Sequence, residues 1–199
     1  MLVRHGESEW NAAGRMQGQG DPPLSDLGRE QCRALRDALA GMRIDHAIAS
    51  DLVRARETAA LAGFDLVPTD PRWREIDVGA WTARHTGEIP REQLDAWKRG
   101  MHVPAGGESW PELVTRVGEA VDEMRAAGGT WLVITHGGCV RAAIAHVTGA
   151  SPTAMRSPDN ASLTLIALGT WPCLLAFNRS AGADGASPVA PGGRHDAAG

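Results

Sequence analysis

The sequence has little of what builds metal sites, disulfide frameworks and membrane spans. Its three cysteines, Cys32, Cys139 and Cys173, are far apart and show no CxxC spacing, which predicts neither a zinc site nor a disulfide framework. We interpret them as small buried side chains in a reducing compartment. No apolar run approaches the ~20 residues of a membrane span, and no signal peptide is evident. We therefore expect a cytoplasmic protein without a membrane partner.

The sequence also has almost no lysine, since Lys98 is the only lysine among 20 lysines and arginines. The net charge of −4 argues against a general nucleic-acid binder, so arginines that bind an anion must act as a local cluster. The length of 199 residues suits one domain with a single sizeable core. We expect that domain over residues 1–179, followed by a disordered tail over 180–199 that is rich in Gly, Ala, Pro and Ser.

Strand and helix patterns alternate along the chain. The predicted elements are a first strand ending at Val3, a helix over 26–40 capped by Ser25, a strand over 46–50, a helix starting at 51 with Ser50 or Asp51 as its cap, an edge strand over 65–68, helices over 90–99 and from about 110 to 127, a buried strand over 130–135, a helix over 139–147, and strands over 162–168 and 173–177. This order predicts a three-layer α/β/α sandwich with a mostly parallel central sheet.

Side chains suited to chemistry follow several of these strands. Arg4 and His5 follow the first strand, Arg54 lies in the first turn of the helix after the second strand, and His136 follows the buried strand. Glu75 lies in a segment without helical period. Ligands of open α/β sheets bind beyond the carboxyl ends of the strands, so we expect these five side chains to meet there.

Two histidines, two arginines and one glutamate suit phosphoryl transfer to a protein nucleophile. A neutral imidazole attacks phosphorus, guanidinium groups stabilise the charge on the oxygens, and an acid protonates the departing oxygen. This route needs no metal. Taken singly, each residue has an ordinary alternative: His5 as a surface or core histidine, Arg54 as a surface helix arginine, and Glu75 as an ion-pair partner.

Four blocks of the sequence resemble the histidine phosphatase superfamily, in its phosphoglycerate mutase-like branch, and the similarity extends over about residues 2–177. They are Val3-Arg4-His5-Gly6-Glu7-Ser8 through Asn11, Ser50-Asp51-Leu52-Val53-Arg54-Ala55, Glu75-Ile76-Asp77-Val78-Gly79 and Thr135-His136-Gly137-Gly138. The resemblance implies that His5 is the phosphorylated nucleophile, that Arg4, Arg54 and His136 complete the phosphate pocket, that Glu75 is the general acid, and that Asn11, Gln17 and the backbone of Gly18 and Gly137 contact the phosphoryl group or substrate. For Asn11 and Gln17 an ordinary role as loop caps stays open.

Within that family, the chain is similar to small phosphatases such as α-ribazole phosphatases and broad-specificity phosphatases. Related mutases carry a longer insertion after the acid segment and an asparagine where Gly138 stands. We therefore expect a metal-independent phosphomonoesterase, without a cofactor, that hydrolyses a small phosphorylated metabolite through phosphohistidine. The segment 82–103 is expected to cover the pocket. Candidates for lining the pocket, or for packing or facing solvent instead, are Trp81, which precedes this segment, and Arg84, His85, Trp97 and Met101 within it.

Three alternatives stay open. One is a mutase-type phosphoryl transferase, and another is a binding or regulatory module of the same fold. The third, a metal-dependent hydrolase with His5, His136 and Glu75 as ligands, is disfavoured because the flanking arginines would repel a cation. The pattern does not choose between monomer and homodimer. Only three residues precede Arg4, fewer than in relatives of this family, so a trimmed start is a further open alternative.

Overall fold

A computed structural model describes residues 1–180 and contains one five-stranded sheet in them. Its strands are β1 Leu2–Arg4, β2 His46–Ala49, β3 Trp131–Thr135, β4 Ser162–Ala167 and β5 Cys173–Ser180, in the spatial order β2-β3-β1-β4-β5. Strand β3 is parallel to β2 and β1, whereas β4 is antiparallel to β1 and β5. Four strands thus run one way and β4 runs against them, as the predicted mostly parallel sheet requires.

Six α-helices occur in the described part of the chain: α1 Glu9–Ala12, α2 Asp26–Leu39, α3 Val53–Leu61, α4 Arg91–Lys98, α5 Trp110–Ala127 and α6 Gly137–Thr148. The Oγ of Ser25 accepts the N–H of Gly28 and caps α2, as predicted. Helix α5 begins with a capping box between Ser109 and Glu112. Short 3₁₀ turns occupy 71–73, 79–81, 86–88 and 152–154.

The sheet separates two apolar clusters because successive strand residues point to opposite faces. Leu2 and Val133 pack with buried residues of α5 and α6, including Leu113 and Ile144. Val3, Leu132, Ile134 and Ala49 pack on the other face with Leu35 and Leu39 of α2 and Ala55 and Ala59 of α3. The three layers of the predicted sandwich are confirmed, and the carboxyl ends of β1, β2 and β3 lie together at one edge.

Several predicted details are wrong. The segment 65–68 is not a strand, and in this region only Thr69 forms a single bridge, with Ala49. Helix α3 begins at Val53, not at Asp51, and Leu52 at its N-cap supplies no side-chain bond. The N–H of Val53 instead donates to Oδ1 of Asp21 at 2.7 Å. A distant aspartate therefore satisfies the helix end that the local sequence was expected to cap.

Burial also differs from expectation at one cysteine. Cys32 and Cys139 are buried as predicted, but Cys173 is exposed because it begins β5, which forms one edge of the sheet. The predicted tail lies outside the described residues apart from Ser180, which ends β5. None of the helices within 1–180 is both long and apolar enough for a membrane span.

Candidate active site

His5 follows β1 and is held by both its backbone and its ring. Its N–H donates to the carbonyl of Thr135 at 2.8 Å, which extends the β1–β3 pairing by one residue. The Nδ1 atom lies 2.6 Å from the carbonyl oxygen of Gly6. Since a carbonyl only accepts, Nδ1 carries the proton and Nε2 keeps its lone pair. Nε2 is therefore the nitrogen of this ring whose lone pair could form a new bond.

The two histidines are buried and uncharged. His5 is 2% exposed and His136 is 0% exposed, and their ring centroids are 5.1 Å apart. Burial, followed by the positive charges of Arg54 and Arg4, lowers the pKa of His5 well below 6.5. Burial and the Arg54 charge also lower the pKa of His136 well below 6.5. Both rings are therefore neutral at physiological pH.

Arg54 connects the ring of His5 to the loop that precedes α2. Its side chain is fully buried. Its Nε donates to His5 Nε2 at 3.3 Å, Nη1 donates to the Gly20 carbonyl at 2.7 Å, and Nη2 donates to the Gly18 carbonyl at 2.8 Å. Burial lowers the pKa of Arg54 to about 10, so the group stays charged at neutral pH. A guanidinium has five N–H donors, which leaves two for an anion.

Two buried nitrogen atoms at this site have no hydrogen-bond partner among the described residues. They are Nε of Arg4 and Nδ1 of His136. Arg4 is anchored through Nη1, which donates to the Pro158 carbonyl and to Ser157 Oγ. A β-carbon placed on Gly137 would lie 3.7 Å from Arg4 Nε, so the start of α6 adjoins this arginine. Buried polar atoms are rarely left unpaired, and these two are available to a ligand.

Glu75 rests against the first turn of α6. Its two oxygens accept the N–H of Gly138 at 3.0 and 3.1 Å, and Oε1 also accepts the N–H of Ile76 at 2.8 Å. A β-carbon on Gly138 would overlap Oε1 of Glu75. The carboxylate can therefore occupy its observed position only because residue 138 is glycine. The sequence left open that Glu75 only forms an ion pair with an arginine. Its carboxylate instead accepts hydrogen bonds from backbone N–H groups.

The arrangement is suited to a tetrahedral oxyanion. Arg54 and Arg4 contribute positive charge, and both act on His5 and His136. The start of α6 adds a helix N-terminus whose dipole favours an anion, although its Gly138 N–H already donates to Glu75. Charge-assisted hydrogen bonds from several directions stabilise phosphate more strongly than neutral ones. No cluster of three or more His, Cys, Asp or Glu that could hold a metal ion occurs in residues 1–180.

Known proteins are similar to this chain over most of its length. The family model of the histidine phosphatase superfamily (branch 1) matches residues 1–175. The chain belongs to this superfamily. Among curated relatives, the protein named Probable phosphoglycerate mutase GpmB from Enterobacter sp. (strain 638) is 37% identical over 155 residues, which cover 70% of this chain and 71% of the relative.

Solved structures share the histidine phosphatase fold found here. A mycobacterial glucosyl-3-phosphoglycerate phosphatase in complex with VO3 superposes with a TM-score of 0.84 at 30% identity, covering 90% of this chain and 98% of that one. The protein TTHB049 from Thermus thermophilus gives a TM-score of 0.74 at 34% identity, covering 89% and 97%. The similarity therefore extends over nearly the whole described domain.

The other residues predicted to contact the substrate have partners in the loops around the site. Asn11 belongs to a capping box of α1, in which its Oδ1 accepts from the N–H and Oγ of Ser8. Oε1 of Gln17 also accepts from Ser8 Oγ, at 2.7 Å. The Gly18 carbonyl binds Arg54, and Gly137 lies beside Arg4. The amide oxygens of Asn11 and Gln17 thus accept hydrogen bonds from Ser8 within the loop. The contact of these two residues with substrate stays a prediction.

Sequence reasoning missed several residues that hold the site together. Asn160 Nδ2 donates to the His5 carbonyl at 3.2 Å, and Thr58 Oγ1 accepts the N–H of Gly6 at 3.1 Å. Ser50 Oγ lies 2.9 Å from Nε2 of His136, although the sequence suggested only a helix cap for it. Asn160 carried no sequence signal because 155 positions separate it from its partner. Ser50 stands in one of the family-like blocks, which was a usable signal.

The segment expected to cover the pocket is partly core. Trp81 is buried, and Trp97 packs against the same cluster, with 6.1 Å between the two ring centroids. His85 caps the 3₁₀ turn 86–88. Met101 is 68% exposed. Of the candidates for lining the pocket, both tryptophans thus serve packing, and Met101 keeps an accessible side chain.

Proposed function

We propose that this histidine phosphatase is a metal-independent phosphomonoesterase that acts through a covalent phosphohistidine on His5. The observation that carries the proposal is the state of the His5 ring. Nδ1 is committed to the Gly6 carbonyl, the ring is kept neutral by burial, and Nε2 lies beside a buried guanidinium. A neutral nucleophile next to a fixed positive charge suits attack on an anionic phosphoryl group.

In the first step the phosphoryl oxygens bind Arg4, Arg54 and His136. The Nε–H of Arg54 donates only a long hydrogen bond to His5 Nε2 in the free protein. When the phosphoryl group binds, this N–H donates to a phosphoryl oxygen instead, and the lone pair of Nε2 becomes free. Nε2 forms a bond to phosphorus while the bond from phosphorus to the ester oxygen breaks. Protonated Glu75 gives its proton to that departing oxygen, so an alcohol leaves and phosphohistidine remains.

In the second step water releases the phosphate. The Glu75 carboxylate takes a proton from water as its oxygen bonds to phosphorus and the bond from phosphorus to Nε2 breaks. His5 returns to its neutral form with a lone pair on Nε2, and inorganic phosphate departs. Glu75 ends protonated and ready for the next ester, so the two steps balance without a metal or an organic cofactor.

A mutase is the second candidate, because the curated relatives at 37% identity carry the name of a phosphoglycerate mutase. Hydrolysis is favoured by Gly138. Only a residue without a β-carbon leaves room for Glu75 against α6, where the carboxylate can serve both a leaving oxygen and water. The resemblance to phosphatases with His-Gly-Gly at this point supports the same choice.

The proposed substrate is a small phosphorylated metabolite in the cytoplasm. The structural neighbour named glucosyl-3-phosphoglycerate phosphatase supports monoesters of phosphoglycerate type as the first compounds to test. The VO3 in that complex supports vanadate as a probe, since vanadate adopts the geometry of phosphorus under attack. Neither nucleic acid nor a membrane is part of the proposed activity.

The deciding experiment incubates the purified chain with excess chelator and a panel of phosphomonoesters that includes 3-phosphoglycerate. Released phosphate and formed 2-phosphoglycerate are measured in the same reactions. Phosphate release without interconversion supports the phosphatase. Interconversion faster than release supports the mutase. Loss of activity in chelator that zinc restores would instead support a metal-dependent hydrolase.

A further inference from the structure

Ser50 is a buried polar residue of the site to which no role has been assigned so far. It follows β2 directly, its side chain is fully buried, and its N–H donates to the Ile134 carbonyl at 2.9 Å. Its Oγ accepts the N–H of Leu52 at 3.3 Å and lies 2.9 Å from Nε2 of His136. The hydroxyl is thus fixed between the start of α3 and the ring.

The protons between Ser50 and His136 can be assigned by exclusion. The backbone N–H of Leu52 can only donate, so it occupies one lone pair of the Ser50 oxygen and leaves the O–H unused. The one acceptor that the described residues offer to this O–H is Nε2 of His136. A buried hydroxyl without an acceptor would be costly, so Ser50 donates to Nε2. A neutral ring whose Nε2 accepts must carry its proton on Nδ1.

Nδ1 is the nitrogen without a partner. It is buried and has no hydrogen bond within residues 1–180. The ring that bears it lies edge-on to the candidate nucleophile, with centroids 5.1 Å apart and 61° between the planes. Both arginines of the site act on it electrostatically. An anion bound between the two histidines and the two arginines would give an N–H at this position a hydrogen-bond partner.

We propose that Ser50 is a positioning residue that fixes His136 in the tautomer with the proton on Nδ1, so that this ring donates a hydrogen bond to the phosphoryl group. The inference rests on the proposed function. In the opposite tautomer Nδ1 would present a lone pair to a phosphoryl oxygen, and the two would repel. Without Ser50 the ring has no bond that selects the donor form, and part of the population presents the wrong atom.

The resting protein provides a direct test. The full chain is labelled with ¹⁵N-histidine, and long-range ¹⁵N–¹H correlations are recorded at pH 7.5. The signals of His136 are assigned by their absence in His136→Asn. We expect a protonated Nδ1 and an unprotonated Nε2. A proton on Nε2 overturns the proposal, and this measurement depends neither on activity nor on the folding of any Ser50 variant.

The variants test the consequence. In Ser50→Ala we expect mixed tautomers and affinity for orthovanadate weaker by about 10- to 100-fold, the value of a hydrogen bond to a charged group. Ser50→Thr keeps the hydroxyl and should restore the tautomer and most of the affinity. Ser162→Ala is the matched control, because Ser162 is a buried serine whose Oγ has no partner in the described chain.

The outcomes separate this proposal from the proposed function. Ser50→Ala with unchanged vanadate affinity overturns the role of Ser50. A wild-type protein that shows the Nδ1 proton, binds vanadate and loses both features in Ser50→Ala supports it. If that same wild-type protein hydrolyses no ester, the proposed hydrolysis fails while the role of Ser50 stands.

Discussion

Arg54 and His5 share one long hydrogen bond, in which Nε of the buried guanidinium lies 3.3 Å from Nε2 of the ring. The two terminal nitrogens of the same guanidinium hold the carbonyls of Gly18 and Gly20. One side chain therefore sets both the environment of the candidate nucleophile and the position of the loop above it. Changes at Arg54 should accordingly affect stability as well as chemistry.

Replacing Arg54 by methionine should cost about 2–5 kcal/mol of unfolding free energy, since two carbonyls lose charged donors in the interior. Arg56→Met is the matched control, because Arg56 lies in the same helix but is exposed. Denaturant unfolding of both variants measures the effect. Equal stabilities would show that the loop does not depend on Arg54.

Removing the candidate nucleophile should stop turnover. His5→Ala is expected to lower kcat/KM about 1000-fold or more while the fold persists, because no other neutral imidazole carries a bond-forming lone pair at the same place. His46→Ala, at the exposed start of β2, should keep wild-type activity. Steady-state kinetics together with circular dichroism measure both. Residual turnover near wild type in His5→Ala would reject the phosphohistidine route.

The role of Glu75 can be read from the leaving group. Glu75→Gln keeps the size of the side chain but carries no transferable proton. It should lower kcat/KM at least about 100-fold for an alkyl phosphate and less than about tenfold for p-nitrophenyl phosphate, whose leaving group needs little protonation. Because kcat/KM reports the steps up to the first irreversible one, slow release of phosphate does not obscure the comparison. Similar losses on both esters would remove the acid role.

Gly138 should show the same signature through a different cause. A β-carbon in Gly138→Ala overlaps Oε1 of Glu75, so the carboxylate must leave its place on α6. We expect alkyl phosphate hydrolysis to fall more than p-nitrophenyl phosphate hydrolysis, as in Glu75→Gln. Gly169→Ala is the control, since nothing lies within 4 Å of the added carbon. An unchanged preference for leaving groups in Gly138→Ala would refute this role of the glycine.

The buried histidines should make the fold sensitive to acid. The pKa of His136 is well below 6.5 in the folded state, whereas an unfolded histidine titrates near ~6.5. Below that pH the unfolded chain gains a proton that the folded chain does not bind. The free energy of unfolding should therefore decrease as the pH is lowered below ~6.5, by up to about 1.4 kcal/mol per pH unit for each such histidine.

Denaturant unfolding of wild type and His136→Asn between pH 7.5 and 5 tests this linkage. The variant should lose less stability on acidification, and the two curves should converge at low pH. Ser162→Ala, which removes no titrating group, should run parallel to wild type. Parallel curves for His136→Asn would mean that folding does not shift the pKa of His136.

Much of the site was readable from neighbouring residues in the chain. The run of apolar residues before His136 predicted a buried parallel strand, and β3 lies between β2 and β1. The positions of Arg4, His5, Arg54 and His136 after strands predicted that they would meet, because parallel strands end at a common edge. The predicted edge strand over 65–68 failed because a short apolar run does not contain the pairing partner on which a strand depends.

The sequence by itself determined the order of the elements, the sheet class and the identity of the five candidate residues, because periodicity and short motifs are local properties of the chain. Only the tertiary structure decided which atoms are committed and which are free. Ser50 reaches His136 across 86 positions, and Glu75 reaches Gly138 across 63. Such contacts arise when packing excludes water and buried polar atoms must find partners wherever the fold brings them. The free nitrogens of Arg4 and His136 are therefore visible only in the folded chain.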